Sequence, residues 1–152
     1  MRFLYNLVIS IIIIFSPIII FFRILKRKEN PRRFLEKFSF QQKKRGQGKL
    51  IWFHCSSVGE FLSVIPILEK LEKEKDIKNI LLSTSTLSSS KIFNKFKFRK
   101  TIHQFYPIDN PLIINKFLDH WKPSSVFFVE SEIWPEMLRI LKFKKIKIFL
   151  LN

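Results

Sequence analysis

The sequence is short of cysteine, glycine and acidic residues, and each shortage excludes a class of site. A single cysteine, Cys55, excludes an internal disulfide and is typical of a reducing compartment. Three glycines among 152 residues are too few for either common Gly-rich phosphate-binding loop. The 12 acidic residues are outnumbered by 28 basic ones, and the net charge of +16 indicates an anionic partner: nucleic acid, an anionic membrane surface or a phosphorylated ligand.

Patterns typical of metal sites and of nucleophilic catalysis are missing as well. His54 and Cys55 are neighbours and so point to opposite sides of a strand, while His103 and His120 lie elsewhere in the chain. Ser57 lacks the second flanking glycine of a nucleophile elbow. We therefore predict neither a metal site nor a Ser-His-Asp triad.

What the sequence does have is a long apolar run at its amino terminus. Residues 3–22 carry no charge, and about 20 such residues cross the core of a bilayer. A cleavable signal peptide is the alternative, but its apolar region would be shorter. Arg2 alone precedes the run, whereas four basic residues follow it at positions 23, 26, 27 and 28. This asymmetry predicts a single-pass anchor with the body of the protein in the cytoplasm.

Residues 23–49 are dense in lysine and arginine, with Phe34, Leu35, Phe38 and Phe40 between them. One interpretation is a solvated linker that only obeys the topology rule. The other is an interfacial segment whose basic residues each gain roughly 1 kcal/mol near anionic lipid. The polar stretch at residues 46–48 predicts the boundary before the folded domain.

Residues 50–71 are the unit on which the rest depends. A short apolar run at residues 51–53 predicts a strand, and residues 54–59 predict a tight loop. The apolar positions from Phe61 to Leu71 then recur at helical spacing. Pro66 predicts a kink or a late helix start. Glu60 is therefore either a carboxylate favoured in the first turn of a helix or a base that faces a crevice.

Strands and helices alternate through the remainder of the chain. We predict strands at residues 79–83, 101–106, 125–129 and 146–151, and helices at 88–98, from the Asn110-Pro111 cap onward, and at 136–143. This alternation predicts an α/β fold, a Rossmann-like parallel sheet with right-handed crossovers. All βα loops then open on one edge of the sheet.

Two of these loops carry acids. Glu60 follows the first strand, and Glu130 and Glu132 follow the fourth, so the sequence predicts acids from two separate loops at one edge. The alternative is that each acid only stabilises a helix start. Trp134 and Pro135 are interpreted as structural, a stacked ring and the start of a helix.

Three blocks of the sequence form a recognisable set: residues 51–60 (IWFHCSSVGE), 101–109 (TIHQFYPID) and 128–135 (FVESEIWP). In this order they resemble the signature of the 3-deoxy-D-manno-octulosonic acid (Kdo) transferases of lipopolysaccharide synthesis. That family has two Rossmann-like domains in the GT-B arrangement. The amino-terminal one receives a lipid A precursor, and the carboxy-terminal one binds CMP-Kdo. The resemblance matches the amino-terminal half only.

The resemblance implies a domain order and a set of site residues. The order is an anchor at residues 3–22 in the inner membrane, a basic juxtamembrane segment at 23–49 and an acceptor domain at 50–152. Glu60 is implied to be the general base and Glu130 to stabilise the positively charged transition state. The residues implied to bind substrate are Ser56, Ser57, Gly59 and Glu132. No metal and no cofactor are implied, and CMP-Kdo is a donor substrate.

The resemblance also predicts that a donor-binding half is missing from these residues, because the family continues past the position of Asn152. Kdo transfer to the lipid A precursor (lipid IVA) would then need a separate chain or a longer parent gene. The alternative is a non-catalytic, membrane-anchored fragment that binds an acidic glycolipid. A nucleic-acid binder is supported by net charge alone, and we expect no nucleic-acid partner.

Overall fold

The computed structural model describes residues 2–40, 42–130 and 134–152. In chain order the elements are α1 (Arg2–Leu25), a 3₁₀ helix (Phe34–Phe38), β1 (Leu50–Cys55), α2 (Val58–Lys73), β2 (Asn79–Thr84), α3 (Leu87–Phe93), β3 (Thr101–Phe105), α4 (Pro111–Trp121), β4 (Ser125–Val129), α5 (Pro135–Phe143) and β5 (Lys147–Leu151).

The strands form a five-stranded sheet in the order β3-β2-β1-β4-β5. Every pair of neighbours is parallel, so the carboxyl ends of all five strands share one edge. The chain winds outward from β1 to β3 and then returns to place β4 on the other side of β1. This reversal makes the gap between β1 and β4 the topological switch point, where open α/β sheets bind ligands. The predicted Rossmann-like parallel sheet is confirmed.

Apolar side chains cover both faces of the sheet. Trp52 on β1 packs with α4 and α5 residues such as Phe117 and Met137. Phe53, the next residue, points to the opposite face and packs with α2 residues such as Phe61 and Leu68. A parallel sheet with helices on both faces has strands without polar alternation, which is why β1 and β2 read as apolar runs.

One local prediction is wrong. The helix predicted at residues 88–98 ends at Phe93, because Phe96 and Phe98 turn back, stack on each other and contact the rings of Phe61 and Phe93. Of the two alternatives predicted for Pro66, a kink or a late helix start, the structure excludes the late start, since α2 begins at Val58 and continues through Pro66.

The free edge of β3 is covered by the chain that precedes the sheet. Glu36 in the 3₁₀ helix accepts a hydrogen bond from the backbone N–H of Phe105 at 2.9 Å. Arg33 donates to the carbonyl of His103 at 3.2 Å. Edge strands present unpaired backbone groups that invite aggregation, and these two side chains satisfy a donor and an acceptor of β3.

Candidate functional site

The loop between β1 and α2 is held by a reciprocal cap. Ser57 is the N-cap of α2, and its hydroxyl accepts a hydrogen bond from the backbone N–H of Glu60 at 3.2 Å. The carboxylate of Glu60 reaches back and accepts from the backbone N–H of Ser56 at 2.7 Å. This arrangement is close to the capping box in which Ser and Glu three residues apart satisfy each other's backbone donors. Glu60 is half-buried and its carboxylate is fixed at the mouth of the loop.

Glu130 lies at the end of β4 in a different setting. Its side chain is exposed, and its backbone has φ +56°, a left-handed conformation that is unfavourable for residues other than glycine. The backbone N–H of Glu130 still donates to the carbonyl of Leu151 on β5 at 2.9 Å. Strained backbone held by a neighbouring strand is often found at functional sites, and here it determines the direction of the Glu130 side chain.

The two acids are brought to the same edge of the sheet, on the two sides of the switch point. His54 on β1 is in register with Phe128 on β4, and Ser56 and Glu130 each follow two residues later. Of the residues predicted to bind substrate, Ser56 and Ser57 belong to the loop between β1 and α2 described above. Gly59 lies in the first turn of α2, where an added Cβ would meet only Ser57 at 3.9 Å, so packing does not require glycine there. Glu132 lies outside the described residues.

A buried polar group supports the Ser56 loop from below. The ring of His54 is buried, with Nδ1 3.0 Å from the hydroxyl of Ser83 and Nε2 3.3 Å from the hydroxyl of Ser56. Trp52 donates to the same Ser83 oxygen at 2.8 Å. Tyr106 stacks on the His54 ring with centroids 3.9 Å apart. Burial lowers the pKa of His54 to about 3, so the ring is neutral at physiological pH.

A second buried group holds the ends of β2 and β3. Arg33 forms a two-pronged ion pair with Glu36, with a second contact of 2.8 Å, and also donates to Nδ1 of His103 at 2.9 Å. Because arginine only donates, Nδ1 of His103 accepts, and the proton of the neutral ring is on Nε2, 2.9 Å from Thr84. Burial, with the neighbouring charge of Arg33, keeps the pKa of His103 well below its usual range.

Sequence reasoning missed these supporting residues. Glu36 is a single acid within a basic segment of the sequence, yet it is buried and accepts a hydrogen bond from the distant strand β3. Asp109 reads as part of the cap of α4. In the structure Asn110 caps α4, and Asp109 instead accepts from the backbone N–H groups of Glu136 and Met137 at the start of α5. No local sequence pattern predicts contacts between residues that lie so far apart in the chain.

A cavity of 190 Å³ opens at the same edge of the sheet, between the strand ends and α1. Neither Glu60 nor Glu130 lines it. Its walls are Ile9, Lys37, Ser85, Tyr106, Pro107, Ile108, Asp109 and Trp134. Trp134 packs on Tyr106 with ring centroids 5.2 Å apart and directly precedes α5, as the structural interpretation of Trp134 and Pro135 requires.

Acidic side chains, rather than a metal cluster or a thiol, are the reactive groups among the described residues. Across residues 2–40, 42–130 and 134–152, no three His, Cys, Asp or Glu side chains gather as a metal site needs. The only cysteine, Cys55, is buried, and burial followed by the nearby charge of Glu60 raises the pKa of its thiol, which keeps it protonated and unreactive. Carboxylates at this edge are groups that can bind hydroxyls and, within hydrogen-bond reach, can accept a proton from one of them.

Comparison with known proteins gives consistent matches. Residues 32–152 match the family model described as 3-deoxy-D-manno-octulosonic-acid transferase (kdotransferase). A probable mitochondrial 3-deoxy-D-manno-octulosonic acid transferase of Arabidopsis thaliana is 36% identical over 90% of the chain and 31% of its own length. The corresponding transferase of Rickettsia bellii is 36% identical over 78% of the chain and 28% of its own length.

A more distant relative matches nearly the whole chain. The 3-deoxy-D-manno-octulosonic acid transferase of Haemophilus influenzae is 27% identical over 99% of the chain and 36% of its own length. The chain thus spans about a third of the length of the curated relatives it matches.

Proposed function

Because the chain belongs to the 3-deoxy-D-manno-octulosonic acid transferase family, we propose that it forms the acceptor half of an enzyme that transfers Kdo from CMP-Kdo to the lipid A precursor lipid IVA. The chain matches about a third of the length of each relative, so in this proposal a donor-binding half binds CMP-Kdo. The observation that carries the proposal is the pair of acids, Glu60 and Glu130, on the two sides of the switch point.

In this proposal Glu60 is the general base. A hydroxyl of the acceptor sugar binds at the Ser56 loop and gives its proton to the Glu60 carboxylate as its oxygen attacks the Kdo carbon. The bond from that carbon to CMP breaks, and CMP leaves. The capping hydrogen bond from Ser56 aligns the carboxylate before the acceptor arrives. In the proposal Ser57 and Gly59 form the floor of the acceptor site, and Glu132, which follows β4 in the sequence, also binds the acceptor.

Glu130 is proposed to stabilise the positive charge of the transition state. The sugar carbon passes through an oxocarbenium-like state, and a carboxylate beside it stabilises the developing positive charge. The strained backbone of Glu130 supports this role, because it keeps an exposed carboxylate directly after β4, at the edge of the sheet where the ligand would bind. The reaction so described needs no metal and no cofactor.

We also propose that the protein acts on the cytoplasmic side of the inner membrane. Among the described residues, Leu7–Leu25 is the one helical stretch long and apolar enough to cross a membrane. The excess of basic residues after α1 supports a cytoplasmic body, and by composition alone favours a single pass. A net charge of +16 suits a phosphorylated acceptor in an anionic bilayer.

The test is Kdo transfer by the Glu60→Gln variant, together with a donor-binding half, to lipid IVA in vesicles. Glutamine keeps the capping position but cannot take a proton, so we expect transfer to fall roughly 10²–10⁴-fold with little change in stability. Glu69→Gln, on an exposed position of α2, is the matched control and should transfer normally. Unchanged transfer by Glu60→Gln would remove the base assignment.

The alternative is a non-catalytic fragment that binds acidic glycolipid. It is favoured by one observation, that the carboxylate of Glu60 already serves as a helix cap. It predicts that the unaltered chain and its Glu60→Gln variant bind lipid IVA vesicles equally well, and that neither adds to Kdo transfer by a donor-binding half. Transfer that depends on the chain would exclude it.

A further inference from the structure

From Tyr5 to Ile24, one side of α1 is less exposed than the other. Its less exposed side chains recur every three or four residues, which places them on one stripe of the helix. They are Tyr5, Ile9, Ile13, Ser16, Ile20 and Ile24. Most of the described side chains between them are exposed and apolar, such as Leu7 at 45%, Ile14 at 72% and Phe22 at 54%.

The stripe meets the rest of the protein near both ends of α1. At the amino-terminal end the hydroxyl of Tyr5 donates to the carboxylate of Asp109 at 2.6 Å, and Asp109 is buried where it caps α5. At the carboxy-terminal end Ile20 and Ile24 line an apolar groove of 390 Å³ with Phe34 and Phe38 of the 3₁₀ helix. Ile9, between these ends, forms a wall of the cavity at the strand ends.

These contacts conflict with a helix that crosses a bilayer. From Tyr5 to Ile24 the helix rises about 28 Å, close to the roughly 30 Å of a hydrocarbon core. A crossing helix would place its two ends on opposite sides of the membrane. The amino-terminal end is bonded to the sheet domain through Asp109, and the carboxy-terminal end leads into the 3₁₀ helix, whose Glu36 is bonded to β3 of the same domain. This domain carries most of the charge of the chain and does not enter hydrocarbon. The bond from Tyr5 to Asp109 and a full crossing therefore exclude each other.

We propose that α1 lies in the plane of the membrane, as an interfacial anchor of an anionic bilayer, with the sheet domain seated along its striped side. The exposed apolar side chains then enter the acyl layer, and the domain replaces the polar face that such helices usually have. Exposed basic residues follow directly, at Lys26, Arg27, Lys28 and Arg32, and complement the anionic headgroups. This mode of attachment does not depend on Kdo transfer.

The first experiment locates the amino terminus. In a Cys55→Ala background, a cysteine on a short Gly-Ser spacer before Arg2 and the variant Lys28→Cys are each treated with a membrane-impermeant maleimide. For an in-plane α1, both cysteines react to the same extent in inverted inner-membrane vesicles and neither reacts in spheroplasts. Reaction of the amino-terminal cysteine in spheroplasts would show a crossing helix and overturn the proposal, as would recovery of the chain in the soluble fraction.

The second experiment tests the stripe itself. A photo-crosslinking amino acid replaces Ile9, on the stripe, or Ile11, which lies on the opposite side of α1 and is 45% exposed. We expect the variant at Ile9 to form intramolecular crosslinks to residues 106–109 and the variant at Ile11 to crosslink to lipid. Lipid adducts alone at both positions would mean that α1 leaves the domain, and the proposal would fail even if the protein is active.

Discussion

At the carboxyl edge of the sheet, the ends of β1, β2 and β3 are fastened by buried polar side chains, whereas the ends of β4 and β5 lie open. His54 and Ser83 support the first set, and Arg33 and Glu36 tie down the edge strand. On the other side, Glu130 and the residues of β5 are largely exposed. The fastened half holds the proposed base in one position, and the open half presents the second acid from a strained backbone.

The largest expected effect on stability is in the fastened half. Glu36→Ala leaves Arg33 without its carboxylate partner and the N–H of Phe105 without an acceptor, so we expect a loss of about 3–5 kcal/mol in the free energy of unfolding. Denaturant unfolding in detergent measures it. Asp119→Ala removes an ion pair to Lys144 in which Asp119 is 65% exposed, and should change stability by less than about 1 kcal/mol. Equal losses would contradict the contrast between a buried and an exposed pair.

The next effect is a dependence on pH. His54 and His103 are neutral in the folded protein, because burial lowers both pKa values, but they take up protons in the unfolded chain below about pH 6.5. Their contribution to stability is complete above that pH and is lost as the pH falls towards the folded values. Between pH 7 and pH 5 we expect a loss of about 2 kcal/mol for each histidine.

The matched variant for this pH dependence is His103→Gln. It should reduce the slope of stability against pH by about half, whatever it does to stability at pH 7. An unchanged slope would mean that His103 is already protonated in the folded state, contrary to its position beside Arg33.

The smallest expected effect is in the open half, and its sign is reversed. Glu130→Gly removes a side chain from a left-handed backbone position and should raise stability by about 0.5–1 kcal/mol while it lowers Kdo transfer. Lys145→Gly, at φ +56° after α5, should give the same gain with transfer unchanged. Thermal unfolding and the transfer assay, made on both variants, separate strain kept for function from strain in an ordinary turn.

The fold could be predicted from local pattern because each element carries its own period and its own stop signal. Asn110 and Pro111 mark the start of α4, and the apolar run at Ser125–Val129 marks β4. Alternation of strands and helices then fixes parallel pairing, and hence that Glu60 and Glu130 share an edge. Their catalytic roles, and those of Ser56, Ser57 and Gly59, stay predictions.

The rest could not be predicted because it depends on contacts between distant segments. Glu36 reaches Phe105 across 69 positions, and Tyr5 reaches Asp109 across 104. The end of α3 is set by aromatic rings that return to Phe61, and nothing between residues 88 and 98 reports this. The orientation of α1 likewise follows from its contacts, since its composition is that of a membrane-spanning segment.

The clamp that Arg33 and Glu36 form on β3 makes the two edges of the sheet unequal for the addition of a further strand. A sixth strand, from any source, finds the outer backbone groups of Phe105 and His103 already occupied. At the other edge, Phe149 and Leu150 of β5 are 44% and 64% exposed, so that edge accepts a further strand more readily. A strand added there would approach from the side of Glu130, whose backbone N–H is bonded to Leu151 of β5, and would change the surroundings of that acid first.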